Sequence, residues 1–356
     1  MRVLFWRLLS GDRPGHRLAS ALLLALLLGL AVLPFAAPGT KSMAAAARIC
    51  VFIVLAGSYD IVLGYTGIVS LAHAVFFAIG AYAVAIPLAH GWVGWDAVAV
   101  GMAGGALLAA CVAAGITLLS LRVQAIFFSM ITLAAASLAQ VLATQWRGVT
   151  GGEDGLSFSV PRALSPSFRL LHDPLFGVRV DGRLLTYYLI FVAALLLFLL
   201  MLRIVNSPFG RVLLAIRENA FRAEALGYRT IVYRTLASAI AAGIAALAGG
   251  LMALLLRYNG PDATLSFSVM VDILLMVVIG GMGTLYGPAL GAVVIVLAEY
   301  YLQPALQAAS AALAGWPVLP LLFDPDRWLL WLGLLFVLIV YFLPAGIVGT
   351  LRRRRG

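Results

Sequence analysis

The sequence predicts an all-α, polytopic integral membrane protein, and three observations carry that prediction. Hydrophobic residues make up 63% of the chain and charged residues 11%, with a mean hydropathy of +1.07, far from the balance of a soluble domain. About ten apolar runs recur, most of them near the twenty residues that a bilayer requires. The arginines cluster at the ends of those runs, where orientation signals belong. That placement assigns the net charge of +10 to membrane topology rather than to nucleic acid.

In chain order, Arg2, Arg7, Arg13 and Arg17 precede an apolar run over 18–37. This resembles the start of a signal peptide, but the run is long enough to span and no small-x-small cleavage site follows. The expectation is an uncleaved first helix. Further runs cover 44–63, 70–89, 95–119 and 124–143. A polar, turn-rich stretch over 144–183 then balances five Arg against Glu153, Asp154, Asp173 and Asp181. A sixth run follows it and leads to a basic region, 203–234, with six Arg against Glu218 and Glu224. The last four runs are 231–256, 265–279, 284–302 and 328–343, and the chain ends on Arg352 to Arg355. By the positive-inside rule both basic regions and the N-terminus lie in the cytoplasm and the 144–183 loop lies outside. Six crossings followed by four satisfy that parity. Trp316, Pro317, Pro320, Trp328 and Trp331 suit an interfacial belt on the last outer loop. Cys50 and Cys111 fall inside apolar runs, which argues against a disulfide framework or a metal site.

Two segments break the apolar pattern at similar places in the two halves. The first runs from Asp60 through Gly64, Tyr65, Thr66, Gly67 and Ser70 to His73; the second from Asp272 through Gly280, Gly281 and Gly283 to Tyr286 and Pro288. Irregular backbone at membrane depth is tolerated only where it is buried in protein or lines a cavity. Gly-interrupted segments in both halves therefore point to a translocation path. Close helix packing through small residues explains the same glycines, and both readings stay open. Asp60, Asp272 and Glu299 should face the bundle interior or lie near its ends, because a carboxylate at the bilayer centre costs about 2.5–3.5 kcal/mol on insertion scales. His73 fits a proton relay or a satisfied packing histidine. Arg48 and Arg122 sit near run ends, where they can snorkel.

Between the halves lies a charged island, residues 206–229. It reads as one short helix, with Ser207 placed to cap it, Pro208 at the first helical position and Gly227 as the left-handed residue beyond its end. Val212, Ile216, Ala220 and Ala223 recur at helical spacing, while Arg211, Arg217, Glu218, Arg222 and Glu224 cover the other faces. One stripe suits the membrane helices and the rest suits either solvent or a partner that drives transport. The chain has no phosphate-binding loop of its own, since its one lysine, Lys41, lacks the preceding glycine. No Ser-His-Asp arrangement or metal-ligand spacing is evident, so no catalytic residue, cofactor or metal is assigned.

Four ordered stretches together resemble one family. They are Tyr59-Asp-Ile-Val-Leu-Gly-Tyr-Thr-Gly-Ile-Val-Ser-Leu-Ala-His-Ala-Val-Phe-Phe-Ala-Ile-Gly-Ala-Tyr82; Thr150-Gly-Gly-Glu-Asp-Gly-Leu156; the island from Ser207-Pro-Phe-Gly-Arg211 to Ala223-Glu-Ala-Leu-Gly227; and Ile279-Gly-Gly-Met-Gly-Thr-Leu-Tyr-Gly-Pro288. The chain resembles the permease subunits of bacterial ATP-binding-cassette importers for branched-chain amino acids, and within them the longer of the two paired permeases. The resemblance implies a single transmembrane permease domain over 1–356 with a periplasmic loop at 144–183 and a cytoplasmic coupling loop at 204–230. It implies a second permease of the same family, two ATPase subunits and a periplasmic solute-binding protein as partners, in a bacterial inner membrane. The coupling residues it implies are Ser207, Arg211, Arg217, Glu218, Glu224 and Gly227, although Leu226 departs from the family's E-A-A pattern. The implied solute is a branched-chain or similar amino acid; related permeases that move urea or short amides form the alternative. From the residues alone, a proton-coupled secondary transporter using Asp60, His73 or Asp272 and a structural scaffold also stay open.

Overall fold

The computed structural model describes residues 17–37, 39–120, 125–169, 181–312, 323–343 and 345–353. Arg122, Asp173, Trp316, Pro317, Pro320 and the N-terminal arginines before Arg17 lie outside the described residues, and nothing is described of the Arg17 side chain. The architecture is all-α, with a single two-stranded pairing among the described residues. Among the described residues there are ten apolar helical segments, in line with the expected number of about ten. Eight are long and apolar enough to cross a membrane, and two, Leu23–Ala36 and His73–Ala89, are shorter.

The centre of the bundle is α2 (Thr40–Thr66). Val51, Val54, Leu55 and Ile61 on it are fully buried, because α1 (Arg17–Ala36), α6 (Gly182–Val205), α9 (Thr230–Leu256), α10 (Phe267–Gly280) and α11 (Tyr286–Ala312) all pack around it. Tyr187 and Tyr188 of α6 donate hydrogen bonds to the Leu30 and Ala31 carbonyls and so fasten α1 to the bundle. The short α3 (His73–Ala89) lies against α9 and α4 (Trp95–Ser120). Small residues permit that approach: a Cβ added to Gly80 would lie 1.8 Å from the Ala246 carbonyl oxygen, and one added to Gly249 would lie 1.8 Å from that of Phe77. Backbone-to-backbone packing of this kind replaces the hydrophobic driving force that lipid does not supply. The outer helices α5 (Ala125–Gln145) and α12 (Trp328–Phe342) keep large apolar side chains exposed, among them Phe127, Leu138, Leu330 and Val337, as a lipid-facing surface demands.

At one end of the bundle the polar stretch is folded onto α9. Thr150-Gly-Gly-Glu-Asp-Gly-Leu156 forms two tight turns, with Gly151, Gly152 and Gly155 at φ of +77°, +65° and +68°. It delivers β1 (Leu156–Ser157) to antiparallel pairing with β2 (Tyr258–Asn259) just past α9. Arg257, itself left-handed at φ +55°, donates to the Leu164 carbonyl 3.2 Å away and its own carbonyl accepts from Phe158. At the opposite end lie the island and α13 (Gly346–Arg353).

The island differs from the expected single helix. It forms two, α7 (Pro208–Glu218) and α8 (Ala220–Ala225), divided at Asn219, whose backbone is extended at φ −159°. The reason is local competition: the Asn219 side chain accepts from the Arg222 N–H at 2.9 Å and starts a new helix instead of continuing the old one. The buried seam is also shifted. Leu213, Ile216 and Ala223 are buried, whereas Val212 and Ala220 are only half-buried.

Candidate functional site

Both broken segments leave the helix at a glycine, the first at the exposed Gly67 and the second at the buried Gly281. α2 stops at Thr66 because Gly67 adopts φ +73° and the Ile68 N–H turns back to the Val62 carbonyl, the hydrogen-bond pattern of a glycine-terminated helix. Residues 67–72 then run back along the bundle without helical structure, and α3 begins only at His73. His73 is buried, 2.8 Å from the Ser58 hydroxyl, with its ring 5.1 Å from Tyr59 and edge-on to Phe76. That is the environment of a packing histidine with a satisfied nitrogen. Tyr65 and Thr66 are buried, the Thr66 hydroxyl bonding to the Val62 carbonyl at 2.6 Å, and the Ser70 hydroxyl accepts from the Ala72 N–H. The second break joins α10 to α11. Gly281 and Gly283 take φ of +110° and +81°, and a Cβ on Gly280 would lie 1.9 Å from the Gly287 carbonyl oxygen.

The fold brings the two breaks into contact. Asp60, fully buried on α2, accepts a hydrogen bond from the Gly283 N–H at 2.9 Å. A Cβ on Gly64 would lie 2.0 Å from the Asp60 carboxylate and 2.5 Å from the Gly283 nitrogen, so only glycine fits between them. Elsewhere in the bundle Leu71, near the end of the first segment, and Ala74, just beyond it, line a groove with Leu265, Phe267 and Met270, which precede the second segment. The groove's polar lining, Ser137 and Gln140 of α5 with Ser266, was not singled out from the sequence. The available signal was the spacing of Ser137 and Gln140, three residues apart and so on one face of the helix.

Asp272 lies elsewhere, half-buried beside an ion pair in which Arg48 of α2 meets Glu299 of α11 at 2.9 Å. The Arg48 guanidinium also lies over the rings of Phe52 and Tyr300. Two carboxylates thus share one cation among apolar helices, and removing the cation strands both. Arg48→Ala is expected to destabilise the solubilised protein by about 3 kcal/mol, with the Arg48→Ala/Glu299→Ala pair recovering part of the loss. Thermal unfolding in detergent of the wild type, both single variants and the double variant measures this, and additive losses would show that the two side chains do not interact.

On the island, Ser207 caps α7, accepting from the Gly210 N–H, and Gly227 is left-handed at φ +91° with open space around it. The Glu224 carboxylate accepts from the Thr230 hydroxyl at 2.5 Å, tying α8 to the first turn of α9. Arg211 and Glu218 are exposed. Arg217 departs from the outward group in which its position places it: its guanidinium Nη1 reaches into the bundle and donates to the Gly64 carbonyl. The most exposed large apolar residues of the island are Phe221 at 82% and Leu226 at 73%.

Comparison with known proteins agrees with this architecture. The chain is similar to two proteins named high-affinity branched-chain amino acid transport system permease protein LivM. The one from Salmonella typhimurium is 28% identical over 293 residues, covering 78% of this chain and 67% of the relative. The one from Escherichia coli is 27% identical over 337 residues, covering 88% and 75%. A probable branched-chain amino acid transport permease protein LivM from Methanocaldococcus jannaschii is 33% identical over 163 residues, 45% of each chain. No solved structure matches. The family described as branched-chain amino acid transport system / permease component matches residues 43–349, from α2 to α13 and across both breaks and the island, and the chain belongs to that family of multi-pass membrane permeases.

Proposed function

We propose that this permease is one of two membrane subunits of an ATP-driven importer in a bacterial inner membrane, both of its termini cytoplasmic. It passes branched-chain or similar amino acids from a periplasmic binding protein to the cytoplasm, and two ATP-binding-cassette subunits supply the energy. The observation that carries this reading is the island: a capped two-helix element, seated on the bundle through Leu213 and Ile216, that presents Phe221 and Leu226 to water among charged neighbours. An apolar pair held out on a short charged helix suits a cleft in a partner better than open solvent. The paired breaks at Gly67–Ala72 and Gly280–Thr284 are the segments that rearrange along the solute path, and backbone groups with Ser137, Gln140 and Ser266 suit a zwitterion with an apolar side chain. Proton coupling is less well supported, because Asp60, His73 and Asp272 each have a separate local arrangement: Gly283, Ser58 and the Arg48–Glu299 pair.

The test is purification from native membranes followed by reconstitution. A second permease and an ATPase are expected to accompany the chain, and uptake of leucine, isoleucine or valine should require ATP and survive collapse of the proton gradient. A chain that purifies without an ATPase, or uptake that follows the proton gradient, overturns the reading; preferential uptake of urea or short amides corrects the solute.

Replacing Gly227 is expected to loosen coupling without unseating the island. A β-branched residue at φ +91° is strained by roughly 1–3 kcal/mol even where space is free. Gly227→Val should assemble with its partners yet lose most of the ATPase stimulation by loaded binding protein, and normal stimulation in the assembled variant would refute this.

A further inference from the structure

We infer that Arg217 is the strut that ties the island to both broken segments, a positioning residue that makes α7, the end of α2 and the 281–284 loop move as one body. The inference rests on the importer reading above. Burial of Leu213 and Ile216 seats α7 on the bundle, but apolar contact is non-directional and lets a short helix roll or slide. Arg217 supplies direction. Its guanidinium donates to the Gly64 carbonyl, in the last turn of α2, where carbonyls have no helical partner. Its stem runs past the left-handed Gly67, close enough that a Cβ there would lie 3.3 Å from Cγ and 4.0 Å from Cβ of Arg217. On the other side the head lies against the second break: a Cβ on Gly283 would be 2.7 Å from Nη1 and 3.3 Å from the Gly64 oxygen. The Gly283 N–H in turn is held by Asp60. One charged side chain from the island therefore meets both breaks where they cross, and a displacement of α7 is carried to both at once. Arg217 as a whole is exposed while its head is held at a part-buried carbonyl, which is the placement of a connector rather than of a core residue. Lysine replaces it only in part, because a point charge can bond the carbonyl but cannot also pack flat against a neighbouring backbone.

The test uses the complete transporter, reconstituted with its binding protein, and reads solute moved per ATP hydrolysed. Arg217→Ala is expected to retain its ATPase on purification, since the head points away from the partner face, and to lose about tenfold in solute moved per ATP, the effect of losing one charge-assisted hydrogen bond. Arg217→Lys should fall between. A second arm restores covalently the part of the tie that joins α7 to the first break. Gly67→Cys/Arg217→Cys, in a background with Cys50 and Cys111 replaced, places two Cβ atoms at 4.0 Å, within disulfide range. The oxidised protein should regain solute moved per ATP relative to its reduced form. Wild-type stoichiometry in Arg217→Ala overturns the inference, as does a disulfide-bonded protein coupled no better than the reduced one. If the unaltered transporter moves no solute with ATP or holds no ATPase, the importer reading falls first and this inference with it.

Discussion

Gly64→Ala is expected to abolish transport and to lower the yield of folded protein, although it adds a single methyl group. The added carbon would sit 2.0 Å from the Asp60 carboxylate and 2.5 Å from the Gly283 nitrogen, well inside contact distance of both. Relief requires the second break to withdraw from α2, which breaks the Gly283–Asp60 hydrogen bond and leaves a buried carboxylate without that donor. Overpacking costs about 1–3 kcal/mol and the lost hydrogen bond to a charged acceptor about 1.5–3 kcal/mol more. The sum is a large fraction of a typical folding free energy of about 5–15 kcal/mol. Gly104→Ala in α4, where a Cβ meets nothing within 4 Å, is the matched control and should be neutral or slightly stabilising. Thermal unfolding in detergent and uptake in proteoliposomes compare the two; equal behaviour would show that the two breaks are not locked through Gly64.

Phe221→Asp should leave the permease folded and detach the proposed ATPase partner. The side chain is 82% exposed, so its replacement removes little internal packing. A central aromatic anchor at an interface is worth about 2–4 kcal/mol, which corresponds to a loss of affinity of roughly 30-fold to a thousandfold. A charge placed in a desolvated cleft adds to that loss. Arg222→Ala, one position on and also exposed, is expected to change affinity by no more than a few-fold. Quantitative co-purification of the ATPase with each variant decides the matter, and retention of the ATPase by Phe221→Asp would remove this residue from the docking surface.

The sequence by itself determined the fold class, the ten apolar segments, the two glycine breaks and the caps of the island. Each of those is a local property: run length set against bilayer thickness, loss of side chains at Gly67 and Gly283, a side-chain oxygen at Ser207 one residue before a proline. The second start at Asn219 was local too, but a competing cap is hidden inside a pattern that reads equally well as continuous helix. Only the tertiary structure decided what the marked residues do for one another. Asp60 and Gly283 are 223 positions apart and Arg217 lies 153 from Gly64, so their contacts follow from how α2, α7 and α10 pack, which no spacing reveals. The same packing turned His73 into a partner of Ser58, drew Ser137, Gln140 and Ser266 into one groove and aimed Arg217 inward. Periodicity assigns a residue to a face, but on a three-turn helix at a membrane edge a long arginine reaches past its own face, and which carbonyl it finds depends on where the neighbouring helix ends.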